Sequence, residues 1–380
     1  MKQDTHILPS IGELSFDELV AKYAHLLVHY CLELNKGERL LIKASTNSIP
    51  LVQEVYKEAT KTGVQVEVDL EFESKNKIFF DHADDELLKE PPHLYAHAIE
   101  NFDAYLLIRS PFDLLASGKV DPRKKAIRRE HMKPIQQLYF KRTGEGSLKR
   151  TLCEFASEAN SKMAGLSKEE FAEFIFNACK LYDENPAESW LEVRSHQQKL
   201  VDYLNNCSTI RYKNKLSDIS FSVKDRIWIN SDGRNNMPSG EVFTGPVEDT
   251  VNGVIHFDFP SVYQGKKVKG ITLHVKDGEV YKWDAKEGKD LLDRIFKIDG
   301  ARFFGEVAIG TNYNISRPSC NILFDEKIGG TIHMAIGQSY AQTGGKNVSS
   351  IHWDMIADMR DGGEIYADGE LIYQNGKFII

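Results

Sequence analysis

Five side chains able to hold a metal ion sit at strand spacing in the second half of the 380-residue sequence: Glu241, Glu306, His333, His352 and Asp354. In "SSIHWDMIAD" (349–358), His352 and Asp354 alternate with Ile351, Trp353 and Met355. Side chains two apart share one face of a strand, so the imidazole and the carboxylate form a two-pronged ligand while the apolar residues pack on the other side. "GGTIHMAIGQSY" repeats the pattern, with His333 between the small residues Thr331 and Ala335 and the apolar set Ile332, Met334 and Ile336 opposite. "GEVAIG" (305–310) puts Glu306 on one face with Ala308 and Gly310, and "GEVFTGP" offers Glu241 on a short strand after a polar loop.

A buried carboxylate is costly to keep ionised, so it shifts its pKa, pairs with a cation or binds a metal. None of the five has an Arg or Lys partner within its own segment. Mixed imidazole and carboxylate donors suit Zn, Co or Mn better than Ca or an iron–sulfur cluster. Against two divalent ions, three carboxylates and two neutral imidazoles leave one positive charge, which a bridging water can neutralise as hydroxide; that balance favours two-metal hydrolysis. Hydrogen-bonded structural roles remain open for each residue taken singly. His256 and Asp258 in "VIHFDF" mimic the same spacing and are decoys. His25 with His29, and His93 with His97, stand at i, i+4 on helices but lack the neighbouring Glu of HExxH, and read as ordinary helix residues. No GxSxG elbow or flanked cysteine nucleophile occurs.

Two kinds of element must position these groups. Up to about residue 206, helix and strand patterns alternate: a Ser-capped helix in "SFDELVAKYAHLLVHYCLEL", a strand in "ERLLIKAS", a helix in "IPLVQEVYKEATKTG" ended by Gly63, a strand in "VQVEVDL", one helix over "DDELLKEPPHLYAHAIEN", and a strand in "FDAYLLIRSP". Such alternation predicts a parallel, helix-covered sheet. Two helices split at Asn185-Pro186 follow, and from residue 207 strands and tight turns such as "KDGE" predict antiparallel hairpins. The expected fold is therefore α/β, with an N-terminal α/β domain (1–206) and a β-rich, mainly antiparallel α+β domain (207–380) that carries the chemistry.

A formal charge of -8 argues against a nucleic-acid partner, and the basic run "DPRKKAIRREHMK" reads as a solvated, acid-balanced helix face. No GxGxxG or GKS loop follows the early strands, so no nucleotide is expected. Five scattered cysteines suggest neither a disulfide framework nor a thiolate metal site. With no leader pattern and no membrane-spanning run, the expectation is a soluble, cytoplasmic protein.

"NMPSGEVFTGPVEDTVNG", "GEVAIGTN", "DEKIGGTIHMAIGQSY" and "GKNVSSIHWDMI", in this order, resemble the thermophilic-type metalloaminopeptidases, family M29. The resemblance runs through most of residues 230–360 and more loosely through "GERLLIKAS". It implies that Glu241, Glu306, His333, His352 and Asp354 ligate a cocatalytic pair of divalent ions (Zn, Co, Mn or Mg), that Tyr340 is catalytic, and that the protein is a homodimer acting on peptides with a free N-terminus. Tyr340 is then expected to hydrogen-bond the oxyanion of the scissile carbonyl, with Glu248 and Asp249 as candidate anchors for the substrate amine. One departure is the stretch from Tyr340 to His352, which is shorter than expected for the family and bears on the shape of the entrance. Hydrolysis of another amide or a phosphoester, and a non-catalytic metal-binding assembly role, are the competing expectations.

Overall fold

Ser15 accepts a hydrogen bond from the Glu18 amide while the Glu18 side chain bonds back to the Ser15 amide, and this capping box starts helix α1 (Phe16–His25) where the sequence predicts it. The computed structural model describes residues 14–114, 116–263 and 265–380. They divide into two units. One takes the chain up to Phe112 with Lys119–Glu158 and Lys168–Ser189; the other takes Asp113–Gly118, Ala159–Ser167 and everything from Trp190 onward.

In the first unit, β1 (Arg39–Ser45), α2 (Ile49–Thr62) and β2 (Gln65–Glu71) form the expected βαβ start, with Gly63 closing α2 in the left-handed conformation. β1, β2, β3 (Ala104–Arg109) and β4 (Lys149–Glu154) run parallel in the order β2-β1-β3-β4. Leu40, Leu41 and Ile42 of β1 have no exposed surface, as a strand covered on both faces requires. Where one helix is expected over 84–101 there are two, Asp85–Lys89 and His93–Asn101. Pro91 and Pro92 separate them, because each lacks an amide donor and disfavours helical geometry in the residue before it. The basic run lies on the helix Pro122–Gly144, where Arg123 pairs with Asp85 and Lys133 with Glu130.

The second unit is strand-rich. It runs through β5 (Thr209–Lys213), β6 (Asp218–Ser222), β7 (Ile229–Ser231), β8 (Glu241–Thr244), β9 (Asn252–Phe257), β10 (Ser261–Tyr263), β11 (Lys266–Lys276) and β12 (Glu279–Glu287). Then come β13 (Phe304–Gly310), β14 (Thr331–Gly337), β15 (His352–Asp358), β16 (Glu364–Ala367), β17 (Glu370–Gln374) and β18 (Lys377–Phe378). One antiparallel sheet has the order β10-β11-β9-β6-β5-β16-β17-β18, with β12 on β11. Asp277 and Gly278, both at positive φ, form the two-residue turn between β11 and β12 whose twist suits a hairpin. The second sheet has the order β15-β14-β13-β8-β7, again antiparallel. Both sheets contribute to one apolar core: Ile210, Tyr212, Ile219 and Phe221 from the first, and Val242, Val307, Ile309, Ile332, Met334, Ile336, Trp353 and Met355 from the second. The fold class expected from the sequence, a helix-covered parallel sheet plus a mainly antiparallel β-rich part, is the one observed.

Candidate metal centre

With the apolar residues of β8, β13, β14 and β15 committed to that core, period-two alternation turns Glu241, Glu306, His333, His352 and Asp354 to the sheet's other face. Register then brings them together. Glu306, Ala335 and Asp354 lie in one row across β13, β14 and β15, while Ala308 stands beside His333, Gly337 beside His352, and Gly310 beside Glu241. Each long polar side chain thus has an alanine or glycine as a cross-strand neighbour, which leaves space above the sheet for an ion.

The five converge. His333 Nε2 lies 3.4 Å from Glu241 Oε2 and 3.7 Å from Glu306 Oε1, and His352 Nε2 lies 3.0 Å from Glu306 Oε2 and 3.4 Å from Asp354 Oδ1. Two sets of three donors result, Glu241–Glu306–His333 and Glu306–His352–Asp354, each with donor atoms within 4.8 Å of one another. Glu306 belongs to both. A third set, Glu326–His333–Asp354, brings in a carboxylate that the sequence reading did not single out. Its neighbour Lys327, also missed, has no exposed surface; its ammonium lies 3.3 Å from Glu241 Oε1 and bonds to Glu326. The charged triplet Asp325-Glu326-Lys327, set directly against "IGG" and the ligand strand, was the available signal.

Four carboxylates around two imidazoles make a strongly negative pocket, and the pKa directions report it. Burial alone would lower both histidines, but Glu306 and Glu241 raise His333 to about 9, and Asp354 and Glu306 push His352 up to about 12. Burial would raise Asp354, yet the two imidazoles and Lys327 hold it down at about 2. Glu326 goes the other way, lifted to about 7 by burial against the pull of Lys327. A pocket that draws protons onto its imidazoles this strongly will draw divalent cations for the same reason.

The residues fit a metal on a second count. Glu241 Oε2, His333 Nδ1, His352 Nε2 and Asp354 Oδ1 are all buried without a hydrogen-bond partner. Such atoms are costly unless something coordinates them. His352 Nδ1 is 2.8 Å from the Gln338 carbonyl oxygen, so it carries a proton there, and Nε2 is the nitrogen turned to the pocket, able to coordinate once a cation displaces its proton. Gln197, fully buried on the helix Pro186–Leu204, donates to the Glu241 carbonyl at 3.2 Å and fixes the end of β8.

Tyr340 follows β14 at the pocket's rim. Its ring centroid is 4.9 Å from that of His352 and 5.8 Å from that of Phe243, and the side chain is 42% exposed. Burial of its inner side and the Glu306 and Asp354 charges raise its pKa, so the phenol stays protonated and able to donate. The short stretch after it is pinned. Arg226 donates to the Gly344 carbonyl and pairs with Glu248 at 2.6 Å, and Glu248 accepts from the Lys346 and Asn347 amides. Glu248 thus holds this loop. Asp249 is exposed and belongs to none of the donor sets. His256 bonds to Thr272 and lies 3.8 Å from Asp258, and neither belongs to a donor set among the described residues. His93 and His97 also join none among the described residues. All five cysteines are free thiols.

A buried carboxylate–imidazole pocket of this kind on an antiparallel sheet is that of a metal-dependent hydrolase. The family model described as thermophilic metalloprotease (M29) matches residues 16–378, and the chain belongs to that family. It is similar to aminopeptidase AmpS of Bacillus subtilis (strain 168), 28% identical over 409 residues covering 96% of this chain and 99% of that protein. It is also similar to aminopeptidase 2 of Geobacillus stearothermophilus, 30% identical over 347 residues covering 84% and 83%. Among solved structures, wild-type AmpT from Thermus thermophilus matches with a TM-score of 0.84 at 24% identity, covering 96% of this chain and 100% of that one; this likeness speaks for the fold. The chain is thus an enzyme, a metal-dependent hydrolase of the metalloprotease type, which speaks against a purely non-catalytic role. No helix among the described residues is long and apolar enough to cross a membrane.

Proposed function

We propose that this enzyme is an aminopeptidase that removes the N-terminal residue of peptides with two divalent ions, one held by Glu241 and His333, the other by His352 and Asp354, and both by Glu306. The observation that carries this reading is the division of Glu306 between the two donor sets, Oε1 toward His333 at 3.7 Å and Oε2 toward His352 at 3.0 Å. When bound, such a pair supplies a Lewis acid for the scissile carbonyl and lowers the pKa of a water. The chain's own groups do the rest. Lys327 offsets the charge of Glu241, the Gln338 carbonyl fixes the His352 tautomer, and the Tyr340 phenol donates to the oxygen that becomes negative as the carbonyl is attacked. Cleavage at the N-terminus is supported by the relatives, which are named aminopeptidases.

On this reading residues 207–380 are the catalytic domain, and Zn, Co, Mn and Mg are the candidate ions for this donor set. The family resemblance supports a homodimer, which analytical ultracentrifugation checks, and the five free cysteines support a reducing, cytoplasmic location. The function is tested by stripping the enzyme with a chelator, reloading it with each ion, and following aminoacyl-p-nitroanilide hydrolysis against bound metal. Activity should return as the second ion per chain is filled, N-acetylated substrates should be inert, and Glu306→Gln should lose both turnover and metal. Full activity at one ion per chain, or equal cleavage of N-acetylated substrates, would sink the proposal.

A further inference from the structure

His25 and His29 carry the helical pair spacing without an adjacent acid, but the fold supplies the missing carboxylate from a different helix. After α1 ends at His25, the chain continues through a π-helical turn, Leu26–Cys31. π turns recur at functional sites because they reset the facing of side chains. Here the turn sets the two imidazoles side by side, with ring centroids 4.3 Å apart, while Leu26, Leu27 and Val28 are buried beneath them. Glu58 of α2 reaches across. Its Oε1 lies 3.2 Å from His25 Nδ1 and 2.9 Å from His29 Nε2.

We propose that His25, His29 and Glu58 form a surface site for a borderline divalent cation such as Zn²⁺ or Ni²⁺, separate from the peptidase centre and serving to tie α1 to α2. Two imidazoles and a carboxylate are the donor set such ions prefer. The three donor atoms lie within 4.8 Å of one another, the separation at which they can share one ion. Side-chain exposures of 58%, 35% and 21% admit water to the remaining coordination positions. Glu58 is ready ionised: chiefly His29, joined by His25 and Lys61, holds its carboxyl at about 2 against the opposing effect of burial. Lys61 sits on the other oxygen, 3.2 Å from Oε2, and leaves Oε1 facing the imidazoles. Each neutral imidazole gains a lone pair at the coordinating nitrogen once its proton moves to the other ring nitrogen. None of the three belongs to the donor sets of the peptidase centre.

The test is equilibrium dialysis of chelator-stripped enzyme against Zn²⁺, with elemental analysis of the wild type, the His25→Ala/His29→Ala pair, Glu58→Gln and His352→Ala. The His pair should bind one ion per chain fewer than wild type and keep full aminoacyl-p-nitroanilide turnover. Glu58→Gln should weaken that ion at least tenfold, and His352→Ala should lose activity while retaining it. Zn²⁺ should also raise the melting temperature of His352→Ala by more than it raises that of the triple variant that adds the His pair, in which only the Glu241–Glu306–His333 set remains. Unchanged Zn²⁺ stoichiometry and affinity in the His25→Ala/His29→Ala enzyme overturn the proposal, as does a His352→Ala enzyme that binds no Zn²⁺.

Discussion

Lys327→Met probes the electrostatics of the pocket from its buried cation. Lys327 has no exposed surface and lies 3.3 Å from Glu241 Oε1 while bonding to Glu326. Burial favours its neutral form, but these two carboxylates raise its pKa and keep it charged. At that distance and an effective dielectric of about 20 the Glu241 attraction is ~5 kcal/mol, and removing one partner of a buried pair costs roughly 3–5 kcal/mol because the other charge is left behind. Methionine keeps most of the stem volume, so the loss is mainly electrostatic. For a unit of this size ~1 kcal/mol moves the melting temperature by about 2–4 °C, so the stripped variant should melt roughly 6–20 °C below stripped wild type. Divalent ions bound at Glu241 would replace part of the missing positive charge. The deficit should therefore shrink when both proteins are metal-loaded, read by calorimetry with and without chelator. An equal deficit in both states would refute the coupling between Lys327 and the cation site, and no deficit would refute the pairing itself.

Tyr340→Phe keeps the ring contacts with Phe243 and His352 and deletes only the hydroxyl. It should lower kcat by about 10²–10³-fold with metal content intact, and unchanged turnover would remove Tyr340 from the reaction. Gly337→Ala would place a Cβ 2.2 Å from the Ile351 carbonyl oxygen at a φ of +98°, so the exit of β14 toward Tyr340 must shift. A loss of about 1–3 kcal/mol in urea unfolding, accompanied by reduced turnover, is expected; wild-type values for both would show that the strand end relaxes freely. Asp325 is lifted from 3.8 to about 7 by burial, although Ser319 donates to it through both amide and hydroxyl. The fold favours its protonated form, so its contribution to stability is complete below 3.8 and is lost as pH rises through about 7. Asp325→Asn should flatten the fall in stability across that window, which amounts to at most about 4 kcal/mol; an equally steep fall in the variant would assign the dependence elsewhere.

Local pattern was legible in the sequence wherever one physical rule dominated. Ser15 and Glu18 announce α1, Gly63 ends α2, and alternation identifies β13, β14 and β15 together with the face on which their ligands stand. Elements ruled by context were not legible. β4, "KRTLCE", shows no apolar run, and the residues predicted as one helix over 84–101 are divided by Pro91 and Pro92, a break the apolar periodicity masks. Glu326 and Lys327 lie on a connection before β14, where no periodicity reveals which way a side chain points. The loop-holding contacts of Glu248 were not legible for a related reason, since the amides it accepts from are nearly a hundred residues away, at Lys346 and Asn347.

Pairing between the ligands is also a long-range property, and here register decides it. His352 and Asp354 are neighbours in sequence, but Glu306 meets them only because β13, β14 and β15 align Glu306, Ala335 and Asp354 in one row. A slip of one residue in β14 would turn His333 to the apolar side and bring Met334 or Ile332 to the pocket face, exposing a core residue and burying an imidazole at once. The same apolar alternation that builds the core therefore holds the metal ligands in register. Ala308, Gly310, Ala335 and Gly337 then decide whether room is left for an ion between them, so enlarging Ala335 should disturb metal content before it disturbs the fold, because its side chain stands between Glu306 and Asp354 on the ligand face.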